Sequence, residues 1–220
     1  MAAPRKPRAK RAPHAAPTKP KAIAPNDADP QSWLYLNPNG PSDSGVVFGV
    51  LRKTYGGRAN SAAEFGRRKL QPVAPTCNSM ASPWPVTAER VDIVLPPDAP
   101  DTLADAQVLL EAMDQAAIDK PLLAYVTLPF PNAARLHQAW ECARGFAARL
   151  AERQLACLLI LHAPGRVGSS NPVHAHLLIA PRAIGPLGME HGTYDHDLVH
   201  DSGQAVIEAL WAEHLQASQS

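Results

Sequence analysis

Apolar positions along the chain fall into short runs and helical stripes, separated by breaks rich in Pro, Gly and Ser. Residues 46–51 form a β-rich run and predict a strand. Gly56-Gly57 turns the chain, and Ser61-Ala62-Ala63-Glu64 has the spacing of a capping box, predicting a helix to about Lys69. Residues 71–88 read as irregular, and 90–95 as an edge strand closed by Pro96-Pro97. Residues 102–105 cap a helix to about Ile118, with Val108, Leu109, Ala112 and Met113 at helical spacing. A strand is predicted over 122–128, then a long helix over 133–153 with Leu136, Ala139, Trp140, Ala143, Ala147 and Leu150 on one stripe. Two apolar runs, 155–162 and 174–180, flank a loop of Pro, Gly, Ser and Asn and predict neighbouring antiparallel strands. A helix over 203–215 closes the pattern. Together these predict an α+β fold, a central antiparallel sheet with helices packed on it.

Composition narrows the picture. Of the 220 residues 45% are hydrophobic, enough to build a core and to exclude disorder throughout. The longest apolar run, 155–161, is far short of the roughly 18 residues a membrane helix needs. The basic start lacks the apolar region of a secretory signal, and its prolines oppose an amphipathic transit helix. Cys77, Cys142 and Cys157 are scattered and form no C-x-x-C pair, which fits a reducing compartment; a cytoplasmic protein is expected. Of 21 Lys and Arg, seven fall in the first 21 residues without an acid. The remaining 14 face all 20 Asp and Glu, a net charge of −6. Residues 1–44 therefore read as a disordered basic, Pro-rich tail, in which 33–36 dock on a domain spanning 45–217. Whole-chain attraction to nucleic acid is excluded, but a local one is not. Arg52, Lys53, Arg58, Arg67, Arg68 and Lys69 set six positive charges against Glu64 alone, and are the expected DNA-binding residues.

Candidate chemistry lies in the last two strands. Side chains at i and i+2 of a strand share a face, so His174 and His176 project together. If the preceding strand pairs antiparallel, His162 at its end joins them. Three neutral imidazoles with open positions suit Zn, Mn or a related divalent ion. An H-x-H pattern by itself is commonly a surface feature, and it is His162 that adds weight. His191, His196 and His200, among Gly and Asp, read as a solvated loop.

The segment His162…Asn171-Pro172-Val173-His174-Ala175-His176-Leu177-Leu178, followed by Arg182, resembles the third motif of the MobA/MobL relaxases. These are strand-nicking proteins of mobilisable and conjugative plasmids in the His-hydrophobic-His endonuclease superfamily. Ala124-Tyr125-Val126-Thr127-Leu128-Pro129 resembles the family's acidic-hydrophobic-Leu-Pro strand. Trp211-Ala212-Glu213-His214 resembles its closing helix, and residues 46–69 its opening strand, Gly-rich turn and first helix. The resemblance implies a bacterial, plasmid-encoded protein that nicks single-stranded DNA at a transfer origin. It would work with other relaxosome proteins and no membrane, on a Mn, Mg or Zn ion held by His162, His174 and His176. It also implies a tyrosine that forms a covalent bond to the DNA 5′-phosphate.

Two departures from the pattern stand out. Val173 is an extra residue, for which a small bulge is expected. Phe65 stands where the family's nucleophilic tyrosine belongs, and phenylalanine cannot attack. Tyr55, beside Gly56-Gly57, becomes the first candidate nucleophile, followed by Tyr35 and Tyr194, while Tyr125 on a central strand reads as packing. The alternative is a catalytically degenerate DNA-binding accessory protein of the same fold. A metal-dependent hydrolase unrelated to DNA would leave the basic cluster unexplained.

Overall fold

The structure, a computed structural model, describes residues 26–75, 84–117 and 121–218. In chain order its elements are β1 (Val47–Arg52), β2 (Thr54–Tyr55), β3 (Arg58–Ala59), α1 (Ala62–Leu70), β4 (Arg90–Val94) and α2 (Ala106–Ala116). They continue with β5 (Pro121–Phe130), α3 (Leu136–Glu152), β6 (Cys157–His162), β7 (Val173–Ile179) and α4 (Gly203–Ala217). Five strands make one sheet in the order β1-β5-β7-β6-β4, every neighbour antiparallel. The expected α+β architecture is present, and the His-x-His strand β7 lies at its centre. Strands β2 and β3 form a separate hairpin, turned by Gly56 and Gly57 at φ 55° and 85°. Positive φ at both turn residues is what a two-residue hairpin loop demands and what glycine supplies without strain.

Alternation along the strands sorts two cores. On one face Phe48, Val50, Val126, Leu159, Leu177 and Ile179 pack against Trp140, Phe146 and Leu150 of α3 and Ile207 and Trp211 of α4. On the other, Leu123, Tyr125, Leu158, Ile160 and Leu178 pack against Phe65 and Leu70 of α1 and Leu109, Leu110 and Met113 of α2. His162 follows Ile160 by two residues, and His176 and His174 precede Leu178 by two and four. All three therefore belong to the α1–α2 face.

Local chemistry sets the helix starts. The Ser61 hydroxyl accepts the Glu64 N–H at 3.2 Å, as the capping box predicts, but Glu64 turns to Arg58 instead of reaching back. The Asp105 carboxylate accepts the Val108 N–H and opens α2, after a 3₁₀ turn over Asp101–Ala104. Leu110 takes the inward position expected of Val108, which is exposed. Helix α3 begins at Leu136, later than expected, because β5 runs on to Phe130 and a turn follows it. No bulge occurs at Val173. It pairs with Phe130 in unbroken register, so the extra residue simply lengthens β7.

The stretch before β1 lies on the domain. Trp33 is fully buried, its indole N–H donating to the Asn26 carbonyl at 2.8 Å, and Leu36 bridges to Gly49 of β1. Asn37 exchanges two hydrogen bonds with the Phe48 backbone. The docking expected of 33–36 is present, and ordered contacts reach back to Asn26, well before residue 45. Residues 1–25 of the expected tail, Cys77 and the expected helix end at Ile118 lie outside the described residues. No described helix is long and apolar enough to cross a membrane.

Candidate metal centre

Strand register brings the three histidines together. β6 and β7 pair so that His162 stands directly opposite His174, with His176 two residues further along β7. Ring centroids are 5.3 Å apart for His162–His174, 4.5 Å for His162–His176 and 4.8 Å for His174–His176. One nitrogen from each ring falls within 4.8 Å of the other two. It is the one such group of three metal-ligating side chains among the described residues.

Each ring is tied at one nitrogen and open at the other. The His162 Nε2–H donates to the Lys69 carbonyl at 2.7 Å, and the His174 Nδ1–H donates to the Pro172 carbonyl at 2.9 Å. A carbonyl can only accept, so these bonds place the protons and leave Nδ1 of His162 and Nε2 of His174 with free lone pairs. His176 Nδ1 lies 3.0 Å from both the Tyr125 and the Thr127 hydroxyls, leaving its Nε2 without a protein partner among the described residues. Burial, the largest cause for each ring, lowers all three imidazole pKa values: His162 to about 4, His176 well below the usual value and His174 in the same direction. The nearby Lys69 ammonium pushes the same way. Three neutral nitrogen donors with anchored second nitrogens fit a divalent ion such as Zn or Mn, which would be held by His162, His174 and His176.

The imidazoles open into a cleft of about 350 Å³. Arg68 and Lys69 from the end of α1, Asn171 from the β6–β7 loop and Asp29 and Gln31 from the N-terminal stretch line its walls. Lys69 is only 5% exposed, and its ammonium lies over the rings of Phe65 and Tyr125, at 5.5 and 4.9 Å from their centroids. The rest of the expected basic cluster is dispersed. Arg52 pairs with Asp201 at 2.7 Å, Lys53 bonds the Ala117 carbonyl, and Arg58 pairs with Asp27 and Glu64 while covering Trp33. Arg67 is exposed on α1. Of the six cations, the structure brings Arg68 and Lys69 to the histidines.

The candidate tyrosines lie elsewhere. Val47 of β1 is level with Thr127, and Thr127 with His176, whereas Arg52 pairs with Pro121 at the far end of β5. Tyr55 lies beyond Arg52 in the separate β2–β3 hairpin and is not among the residues that line the histidine cleft. Its hydroxyl group feels Tyr35, Arg52 and Asp201, and burial raises its pKa. Tyr194 pairs with Arg182, past the opposite end of β7 from His174. Tyr35 packs beside Gly49 on the outer side of the edge strand β1. Phe65, in contrast, is fully buried edge-on to Tyr125, with ring centroids 5.3 Å apart. The Tyr125 hydroxyl touches the His176 imidazole.

Sequence reading missed Thr127, Asp29 and Gln31 as neighbours of the site. A signal existed for Thr127: with Tyr125 it places two hydroxyls on one face of an otherwise apolar central strand. A buried hydroxyl needs a partner there.

No family model matches the chain, and no curated protein does. A structure solved in work on the molecular basis of vancomycin resistance transfer in Staphylococcus aureus is similar to it. The two are 20% identical, the match covers 60% of this chain and 72% of that one, and the TM-score is 0.46.

Proposed function

We propose that this chain is a relaxase-like domain of plasmid mobilisation that holds single-stranded DNA at a transfer origin through a divalent ion on His162, His174 and His176. The observation that carries this reading is the convergence of three imidazoles on the central strands, one ring nitrogen of each within 4.8 Å of the others, facing a cleft that also holds Arg68 and Lys69. When bound, the ion would polarise the non-bridging oxygens of a phosphodiester and offset the charge developing on them. Arg68 supplies attraction to the phosphate backbone at the cleft wall, and buried Lys69 adds positive potential that water screens poorly. The Lys69 carbonyl, by holding His162, ties the end of α1 to the centre. The motif resemblance around His162–His176 supports the same assignment.

Nicking in the relaxase manner further requires a hydroxyl that reaches the bound phosphate, with Tyr55, Tyr35 and Tyr194 as candidates in that order. A second reading, a DNA-binding accessory protein of the same fold without a tyrosine nucleophile, has a specific observation in its favour. Phe65, which the motif resemblance aligns with the family's nucleophile, packs against Tyr125, and Tyr35, Tyr55 and Tyr194 are not among the residues lining the histidine cleft. Labelled single-stranded oligonucleotides incubated with the protein and Mn or Mg separate the two. A nick with a covalent protein–DNA adduct, lost in Tyr55→Phe, supports the nicking enzyme. Metal-dependent binding without cleavage supports the accessory protein, and binding indifferent to metal contradicts both.

A further inference from the structure

We infer that Tyr125, together with Thr127, is the positioning group that fixes His176 as a metal ligand, an inference that rests on the metal-centre reading above. His162 and His174 are anchored by backbone carbonyls, which can only accept a proton. His176 is different. Its Nδ1 faces two hydroxyls, Tyr125 Oη and Thr127 Oγ1, each at 3.0 Å and each able to donate or accept. If either hydroxyl donated to Nδ1, the ring would carry its proton on Nε2 and that nitrogen could not take a metal. A metal ion on Nε2 would set the direction, since Nδ1 then keeps the ring proton and donates it.

Thr127 Oγ1 donates to Tyr125 Oη at 2.9 Å, and the Gln31 amide reaches the same oxygen at 3.5 Å. With its hydrogen committed to Tyr125, Thr127 has none left for His176. The Gln31 amide nitrogen faces Tyr125 Oη as a donor, and with the metal bound a half-turn of the amide presents its oxygen to take the Tyr125 hydrogen. Tyr125 Oη is then the acceptor for the His176 Nδ1–H, and Nε2 keeps its lone pair for the ion. Tyr125 is fully buried, Thr127 8% exposed and His176 2% exposed, so water does not compete for these bonds. The arrangement resembles the hydrogen-bonded acceptors behind metal-binding histidines in general, with a neutral phenol in place of a carboxylate. A neutral acceptor leaves the charge of a divalent ion uncompensated by its three ligands and their anchors, in a cleft where Lys69 and Arg68 outnumber Asp29. The centre is thereby biased towards an anionic ligand, as a phosphodiester is.

The test measures zinc affinity, by competition with a chromophoric chelator, for the wild type, Tyr125→Phe, Thr127→Val and Thr127→Ser. Tyr125→Phe removes one oxygen and keeps the ring against Phe65. The expected result is an affinity loss of about tenfold or more for Tyr125→Phe and Thr127→Val, with Thr127→Ser near the wild type. Nitrogen NMR of the zinc-loaded wild type should show His176 protonated at Nδ1, with that proton exchanging faster once the Tyr125 hydroxyl is removed. A purely structural role would shift melting of the metal-free variants and leave zinc affinity unchanged. Affinities of Tyr125→Phe and Thr127→Val both within twofold of the wild type overturn the inference and leave the metal centre standing. A wild type that binds no zinc overturns the metal-centre reading, and the inference with it.

Discussion

His176 is enclosed to 2% exposure, and burial holds all three imidazoles in the neutral form a metal needs. This has a cost in acid. The unfolded chain takes up a proton at each histidine near pH 6.5, whereas folded His162 resists until about pH 4. Between those values the unfolded state binds more protons, so stability of the metal-free protein is complete above about pH 6.5 and falls as the pH drops towards 4. His162 alone should account for about 2 kcal/mol of loss by pH 5, with His174 and His176 shifting it the same way. Denaturant titrations of metal-free protein from pH 7 to 5 check this, and a level profile contradicts it. At this scale the three histidines were legible in the sequence, because strand periodicity alone puts His174 and His176 on one face. Their anchors were not: the carbonyls of Lys69 and Pro172 are backbone atoms with no residue signature.

Helix α1 is the element that closes the centre, since the carbonyl of its Lys69 holds His162. Its start is fixed from a distance by Asp114 of α2. That carboxylate accepts from the Ala62 N–H at 2.6 Å, the Ala63 N–H at 3.1 Å and the Ser61 hydroxyl at 2.6 Å. These are charge-assisted bonds to N–H groups that a helix start otherwise leaves unpaired. Asp114→Ala should therefore destabilise the protein by about 1–3 kcal/mol, read from urea denaturation. Ser61 was readable as a cap because its partner is three residues away, whereas Asp114 lies 52 residues from Ala62 and only the fold makes them neighbours. The N-terminal stretch behaves similarly. Its Pro and Asn breakers predict a tail, yet Trp33 is buried against Phe65 beneath Arg58, and Asp29 and Gln31 line the histidine cleft. Deleting residues 1–25 should leave zinc stoichiometry unchanged. Deleting residues 1–44 should lower both melting temperature and zinc affinity, because it removes Trp33 from the core and Gln31 from Tyr125.

Across the whole molecule the sheet, its two helical layers and the pairing of β6 with β7 follow from apolar alternation and the Asn-Pro loop. The charge pattern was less informative. Four of the six cations between residues 52 and 69 are engaged in ion pairs, a carbonyl bond or ring contacts. Linear clustering overstated the cationic surface because the acids that answer it, Asp27 and Asp201, are remote in sequence. The acid-free first 21 residues remain the densest positive charge in the chain. Their removal should weaken single-stranded DNA binding and flatten its salt dependence, by about 0.7 in logarithmic slope for each phosphate they neutralise. The most direct test of the account is the affinity for a single-stranded oligonucleotide, measured with and without one equivalent of Mn or Zn, in the wild type and in the His174→Ala/His176→Ala double variant. The account predicts about one ion bound per wild-type chain, DNA binding that tightens when the ion is present, and loss of both the ion and the tightening in the variant. Equal metal content in the two proteins, or a DNA affinity in the wild type that the ion does not change, would contradict it.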